Sequence, residues 1–223
     1  MMFKPGPLYN KRYHIMERLR KVSLETGDVF YNGSNVRGPL GIPFGGLIQL
    51  FTKSIYSHAT VTLVEEGEYY AIDVSDYGCR KLRIIDWFDN WGVEDFCVVR
   101  LKEKKTDDEE RFKVAIKNFL DEDPDYDFTF NNPDAYYCTE SVKRIYGELG
   151  YDLGGSYLIK DIVPWWFYPL LRIGSVVTKI ASGASLPTDV KISIVGNEEK
   201  GMLASALTRK LIAYDGKDFT YFS

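Results

Sequence analysis

Apolar positions along the chain follow a helical period in some stretches and a strand period in others. Ile15, Leu19 and Val22 fall on one face of a helix that we predict over residues 10–26. Gly27 is suited to end this helix, because glycine adopts the left-handed backbone that follows many helix ends. A short strand is predicted directly after it.

The clearest strand pattern is a hairpin in the first half of the chain. β-Branched and aromatic residues predominate over positions 58–64 and again over 69–74, and Glu66-Gly67 between them is typical of a tight turn. A third strand is predicted over residues 96–101, where Cys97 lies among valines. The pattern therefore predicts a β-sheet in this half of the chain.

Two further helices follow the third strand. The first opens at Thr106, which can form a capping box with Glu109, and the second is predicted over residues 137–149, with Gly150 as its stop. Their apolar faces consist of Phe112, Ile116, Phe119 and Leu120 in the first helix and of Val142, Ile145, Tyr146 and Leu149 in the second.

The other segments carry weaker patterns. We predict a loop over residues 32–46, a short helix over 46–53, a turn over 76–81, an aromatic connector over 87–91, and two closing strands over 190–195 and 211–214. Residues 162–171 form an apolar run broken by two prolines. We interpret this run as cover for the core, with a groove lining or a membrane contact as the alternatives.

Composition and charge narrow the classes of function. The chain has 223 residues, of which 45% are apolar and 27% charged, which fits one globular domain. Its net charge of −4 and scattered basic residues argue against nucleic-acid binding. Neither a signal-peptide core nor an apolar run of about 18 residues is present, so we expect a cytoplasmic protein.

The cysteine and histidine content limits the metal and redox chemistry. The chain has three cysteines, without a CxxC pair, and two histidines. Neither a disulfide framework nor a structural zinc site is therefore expected. The chemistry predicted below requires no cofactor.

Cys138 is the first candidate for a nucleophile. It lies where the first turn of the predicted 137–149 helix begins, and a helix N-terminus favours the thiolate form of cysteine. Its neighbour Glu140 opposes ionisation, and a small buried residue is the alternative interpretation. Cys97 is interpreted as a core residue, whereas Cys79 has basic neighbours in the predicted turn and is the rival nucleophile.

An imidazole base and a group to orient it complete such a site. His58 begins a predicted strand, whereas His14 lies on the charged face of a helix and is interpreted as solvated. The hairpin turn brings residues near 58 opposite residues near 74, so Asp73 is expected close to His58, with Asp76 as the alternative. A structural histidine and a solvated edge-strand aspartate are the competing interpretations.

Several motifs occur together in the order seen in one enzyme superfamily. Residues 49–58 (QLFTKSIYSH) precede the candidate base, and Tyr137-Cys138-Thr139-Glu140 carries the candidate nucleophile. The other landmarks are Gly27-Asp28, Asp73, Arg100 and Tyr126-Asp127-x-x-Phe130. The set resembles the circularly permuted NlpC/P60 (papain-like) enzymes. Among them it is most similar to the YiiX-like branch. The resemblance covers roughly residues 26–150.

The resemblance implies an α+β fold in which a small antiparallel sheet or barrel packs against helices. It implies Cys138 as nucleophile, His58 as base and Asp73 as the orienting acid, with the histidine strand before the cysteine helix. Tyr137 and Ser57 are candidates for donating a second hydrogen bond to the oxyanion. The backbone N–H of Cys138 is the first such donor.

The resemblance also sets expectations for organisation and partners. We expect a single domain over residues 1–223, with a helical extension over 1–26, a catalytic core over 27–150 and a completing segment over 151–223. The family includes peptidases and amidases, and related permuted enzymes act on lipid acyl groups. The expected partner is therefore a peptide, amide or lipid acyl substrate, with peripheral membrane contact as an option. A non-catalytic binding module and a purely structural protein remain alternatives.

Overall fold

A computed structural model of the chain describes residues 7–33, 44–75, 78–91, 95–122, 124, 136–163 and 191–222. The helices are α1 (Pro7–Val22), α2 (Phe44–Thr52), α3 (Ile84–Trp91), α4 (Asp108–Glu122), α5 (Cys138–Glu148) and α6 (Ile159–Ile162). The strands are β1 (Val29–Asn32), β2 (His58–Glu65), β3 (Glu68–Ser75), β4 (Gly78–Arg83), β5 (Phe96–Leu101), β6 (Ser156–Leu158), β7 (Lys191–Ser193), β8 (Thr208–Tyr214) and β9 (Phe219–Tyr221).

Seven of these strands form one antiparallel sheet with the order β4-β3-β2-β1-β5-β8-β9. The strands β6 and β7 form a separate antiparallel pair. The predicted hairpin is confirmed, because β2 and β3 pair with Val61 opposite Ile72. The mixture of helices and an antiparallel sheet confirms the expected α+β class.

Helices cover both faces of the large sheet, and strand alternation divides the core accordingly. Val29 and Tyr31 of β1 join a cluster with the apolar stripes of α4 and α5, whereas Phe30 between them joins α1 and α3 on the other face. Successive strand residues point to opposite faces, so a single strand contributes to both cores. None of the helices in the described part of the chain is long and apolar enough to cross a membrane.

The local sequence signals failed at three places. Residues 78–83 form strand β4 rather than part of a turn, because their backbone pairs with β3. The aromatic residues 87–91 form the second half of helix α3 rather than a connector. Helix α1 ends at Val22 instead of residue 26, since Ser23 takes a left-handed backbone with φ of 49°.

The remaining element predictions agree more closely. The third strand is confirmed as β5, and α4 and α5 lie close to the predicted bounds. The hydrogen bond predicted between Glu109 and the Thr106 N–H is replaced by one that lies one residue earlier, in which the Asp108 carboxylate accepts the Lys105 N–H at 2.7 Å. The closing strands correspond to β7 and β8. The Tyr126–Phe130 motif, Asp76, and most of the 32–46 and 162–171 segments lie outside the described residues.

Two of the sequence landmarks, Gly27-Asp28 and Arg100, lie together at the start of β1. Asp28 is fully buried, and both of its carboxylate oxygens accept hydrogen bonds of 2.8 Å from the Arg100 guanidinium. Gly27 beside it has φ of +91°, and a Cβ there would lie 2.7 Å from the Phe112 ring. This Gly-Asp pair therefore joins β1, β5 and α4, and its role is structural.

Candidate active site

Cys138 is the first residue of α5, directly after the N-cap residue Tyr137. Its thiol is half-buried. The N–H groups in the first turn of a helix have no partner within the helix, and the helix dipole places partial positive charge there. The apolar stripe of α5 packs against the sheet, so Cys138 is held at the edge where β2 begins.

His58 is the first residue of β2, and its side chain is almost fully buried. Its Nε2 lies 2.8 Å from Oδ1 of Asp73. Cys138 lies close enough to the ring to raise the pKa of His58 through its charge and through hydrogen bonding. The imidazole therefore has the Asp73 carboxylate as its hydrogen-bond partner at Nε2 and Cys138 as a neighbour.

Asp73 lies on β3 and is completely buried. Its Oδ1 accepts hydrogen bonds from His58 and from the indole N–H groups of Trp87 and Trp91, the latter two at 3.1 Å each. Its Oδ2 accepts a hydrogen bond of 3.0 Å from Arg80. A carboxylate with four donors is well compensated for the loss of water, which is the condition for burying its charge.

Helix α3 also packs against the face of the His58 imidazole. The ring of Trp91 stacks on His58 with centroids 4.1 Å apart, and Trp87 stacks at 6.2 Å. The two tryptophans are four residues apart, so a helix places them on one face. Packing and hydrogen bonding together leave the His58 ring a single orientation.

The charges of these groups support one another. Burial alone would lower the pKa of His58, but the negative charge of Cys138 and hydrogen bonds with Asp73 and Cys138 raise the pKa to about 10. Burial alone would raise the pKa of Asp73, but hydrogen bonds from His58, Trp87 and Arg80 and the charge of His58 hold this pKa below its ordinary value.

The residues on either side of Cys138 attach strand β7 to the start of α5. The hydroxyl of Thr139 donates to the backbone oxygen of Ser193 at 2.8 Å, and the Tyr137 hydroxyl accepts a hydrogen bond from the Ser193 N–H. Tyr137 itself is buried. Burial raises the pKa of the Tyr137 phenol far above its ordinary value, so the hydroxyl stays protonated. The predicted oxyanion role of Tyr137 remains a prediction.

The other residues singled out from the sequence lie as follows. Ser57 is buried, and its N–H donates to the Asn32 oxygen at 3.0 Å; its oxyanion role also remains a prediction. Cys97 is a core residue, as predicted, and burial raises the pKa of its thiol to about 12. His14 is exposed on α1, also as predicted. Cys79 is half-buried on β4, so its placement in a turn was wrong.

Sequence reasoning missed Arg80, Trp87 and Trp91. The spacing of the two tryptophans was a usable signal, because positions i and i+4 share one face of a helix. Arg80 had no such signal, since its partnership with Asp73 depends on β4, where Arg80 is the direct cross-strand partner of Asp73. Among the described residues, no group of three or more His, Cys, Asp or Glu is arranged to hold a metal ion.

A solved structure shares this architecture. The crystal structure described as metalloprotein YiiX from Escherichia coli O157:H7 superposes with a TM-score of 0.64 at 21% sequence identity, over 84% of this chain and 96% of that chain. At this identity, the similarity shows the fold alone. A comparison with curated proteins finds no match.

The comparison with protein-family models is more specific. The family described as "Permuted papain-like amidase enzyme, YaeF/YiiX, C92 family" matches residues 23–164. That span contains Cys138, His58 and Asp73, and it covers more than half of the 223 residues. The chain therefore belongs to the family of permuted papain-like amidases represented by YaeF and YiiX.

Proposed function

We propose that this chain is a cysteine hydrolase that cleaves amide bonds through Cys138, His58 and Asp73. The observation that carries the proposal is the buried His58 imidazole, which bonds to Asp73 through Nε2 at 2.8 Å and whose pKa is raised by Cys138 at the start of α5. A nucleophile, its base and an orienting group are the three parts that thiol catalysis requires.

The reaction follows from this arrangement. His58 accepts the thiol proton, and the Cys138 thiolate attacks the carbonyl carbon of the substrate. The carbonyl oxygen becomes an oxyanion, which the Cys138 backbone N–H stabilises. The imidazolium then donates its proton to the departing amine as the carbon–nitrogen bond breaks, leaving a thioester. Water, deprotonated by His58, attacks the thioester and releases the acid and the free thiol.

The central test is alkylation of the native protein by iodoacetamide at pH 6. We expect Cys138 to react at least about tenfold faster than in the His58→Ala variant, because the proposed mechanism requires His58 to take the proton from the thiol. Mass spectrometry of peptides reports each cysteine separately. His14→Ala is the matched control, and it should leave the rate unchanged because His14 is exposed on α1.

Cys79 and Cys97 serve as internal references in the same experiment. Equal slow labelling of all the cysteines in both the native protein and His58→Ala would refute the proposed nucleophile. Cys138→Ala should also abolish hydrolysis of an amide substrate. Activity that persists in Cys138→Ala would refute the mechanism.

A lipid acyl substrate is the second candidate for the same site. Leu50 and Ile55 precede His58 and have exposed side chains, 63% and 58% of their surface respectively, and α2 carries no charged residue. Exposed apolar side chains on the segment that leads into His58 suit an acyl chain. Trapping the thioester with a peptide amide and with a phospholipid separates the two, since the mass added to Cys138 identifies the acyl group.

A further inference from the structure

The two oxygens of the Asp73 carboxylate have different partners. Oδ1 accepts hydrogen bonds from His58 and from two indoles, whereas Oδ2 accepts from the guanidinium of Arg80 at 3.0 Å. The carboxylate therefore lies between two cationic groups, the imidazole of His58 and the guanidinium of Arg80.

The position of Arg80 is set by strand pairing. It lies on the edge strand β4, directly opposite Asp73 on β3. Its guanidinium also donates to the hydroxyl of Ser75 at 3.3 Å. The side chain retains 27% of its exposed surface while that of Asp73 retains none, so Arg80 reaches the buried carboxylate from the solvent side.

The elements around this carboxylate bring a small set of charged groups. Beside Asp73 on β3, β2 carries His58, β4 carries Arg80 and α5 carries Cys138. Helix α3 faces the carboxylate with neutral indoles, and its acidic residues pair elsewhere, Asp86 with Arg83 and Asp89 with Arg12.

A carboxylate shared between two cations stabilises each of them less than it would alone. Arg80 offsets part of the negative charge of Asp73 and also repels a proton on His58. This matters for the proposed reaction, because His58 must give its proton to the departing amine after taking it from the thiol. A base that holds the proton too strongly is a poor general acid.

We propose that Arg80 is a positioning residue that tunes His58 through Asp73, by fixing the outer oxygen of the carboxylate and partly neutralising its charge. The consequence for catalysis depends on the proposed function. The electrostatic effect itself does not, and it can be measured without a substrate.

The test is an NMR titration of the imidazole in a Cys138→Ala background. That background removes the thiolate charge that contributes to the high pKa of His58, so the titration of His58 moves to lower pH. The chain has only two histidines, and adding His14→Gln leaves His58 as the single imidazole signal. The variant to compare is Arg80→Gln, with Arg80→Met as a second neutral replacement that keeps the apolar stem.

We expect either neutral variant to raise the titration midpoint of His58 by about half a pH unit or more, roughly a threefold change in proton affinity. Arg80→Lys keeps the charge and should show at most half of that rise. Arg83→Gln is the matched control, because Arg83 lies on the same strand and pairs with Asp86 at the surface. It should leave the midpoint unchanged.

A purely structural role for Arg80 predicts a lower unfolding temperature with an unchanged midpoint, and that result would overturn the proposal. So would an equal shift in Arg83→Gln. Adding Asp73→Asn distinguishes an effect through the carboxylate from a direct effect of Arg80 on His58. If Arg80 acts through the carboxylate, the shift of the His58 midpoint caused by Arg80→Gln should shrink by at least half in this background. Failure of Cys138 to react with iodoacetamide would count against the proposed function, while leaving this titration interpretable.

Discussion

At the scale of single residues, the site is a problem of burying charge. Asp73 has no exposed surface, yet four donors from three elements converge on its two oxygens. Removing one donor leaves the buried carboxylate partly unsatisfied, and this costs more free energy than the hydrogen bond itself contributes. The Asp73 carboxylate is consequently both the orienting group for His58 and the anchor for the indoles of α3.

The raised pKa of His58 predicts a pH-dependent contribution to stability. A group whose pKa is higher in the folded than in the unfolded protein stabilises the fold fully below its unfolded value, about 6.5, and loses this contribution as pH rises through the folded value. The folded pKa is raised to about 10. The stabilisation by His58 should therefore decline between about pH 7 and pH 10.

Urea unfolding at pH 6.5 and pH 10 measures this decline. The native protein should lose more free energy of unfolding over that interval than His58→Gln, with a difference on the order of 2 kcal/mol. His14→Gln is the control and should follow the native protein. Parallel losses in the native protein and His58→Gln would show that His58 gains no stabilising partner on folding.

At the scale of elements, β1 is the central strand, and its beginning is fixed by one buried ion pair. The Arg100 guanidinium on β5 forms a bidentate ion pair with Asp28. It also donates hydrogen bonds to the Glu25 carboxylate and to the backbone oxygen of Ser23. The Gly27 oxygen next to it accepts the Tyr146 hydroxyl of α5. The helix that carries Cys138 and the strand next to β2 are thus joined at a point away from the site.

Arg100→Met should destabilise the protein by about 3 to 5 kcal/mol, because it leaves the fully buried Asp28 carboxylate without its cation. Chemical denaturation measures the change. Arg83→Met removes a surface ion pair on the same sheet and should change stability little. Adding Asp28→Asn to Arg100→Met should recover part of the loss. An effect of Arg100→Met no larger than that of Arg83→Met would contradict this account.

At the scale of the whole molecule, the site joins distant parts of the chain. His58 and Asp73 come from one hairpin, Cys138 begins a helix that follows β5 and α4, and Ser193 on β7 is tied to the residues that flank the cysteine. The strands β8 and β9 extend the same sheet beyond β5. The segment after residue 150 therefore reaches the start of α5 as well as the edge of the sheet.

Thr139→Val tests the link between β7 and Cys138. The substitution keeps the side-chain shape but leaves the Ser193 oxygen without its donor at a buried position, which should cost about 1 to 3 kcal/mol of stability. We expect the alkylation rate of Cys138 at pH 6 to fall at least about threefold, because the start of α5 loses an anchor.

Thr139→Ser keeps the hydroxyl and is the matched control for this experiment. It should retain most of the alkylation rate and most of the stability. If Thr139→Val lowers stability but leaves the alkylation rate of Cys138 unchanged, β7 supports the fold without positioning the thiol.

Local pattern was sufficient for much of the fold and for two parts of the site. The alternation on either side of Glu66-Gly67 predicted the β2–β3 hairpin, and the hairpin register brought Asp73 to His58. The apolar stripe ending at Leu149 predicted α5, with Cys138 at its start. These features depend on residues close in sequence, whose geometry follows from strand and helix periods.

Tertiary structure decided the rest. Strand β4 forms because β3 offers it a pairing edge, and this overrides the turn signals around Gly78 and places Arg80 against Asp73. The meeting of Cys138 with His58, 80 residues earlier in the chain, depends on how α5 packs on the sheet. The sequence by itself thus determined which residues could perform the chemistry, and the packing of distant elements determined their environment. The physical reason is that charge, burial and hydrogen bonding depend on neighbours in space, whereas periodicity records only neighbours along the chain.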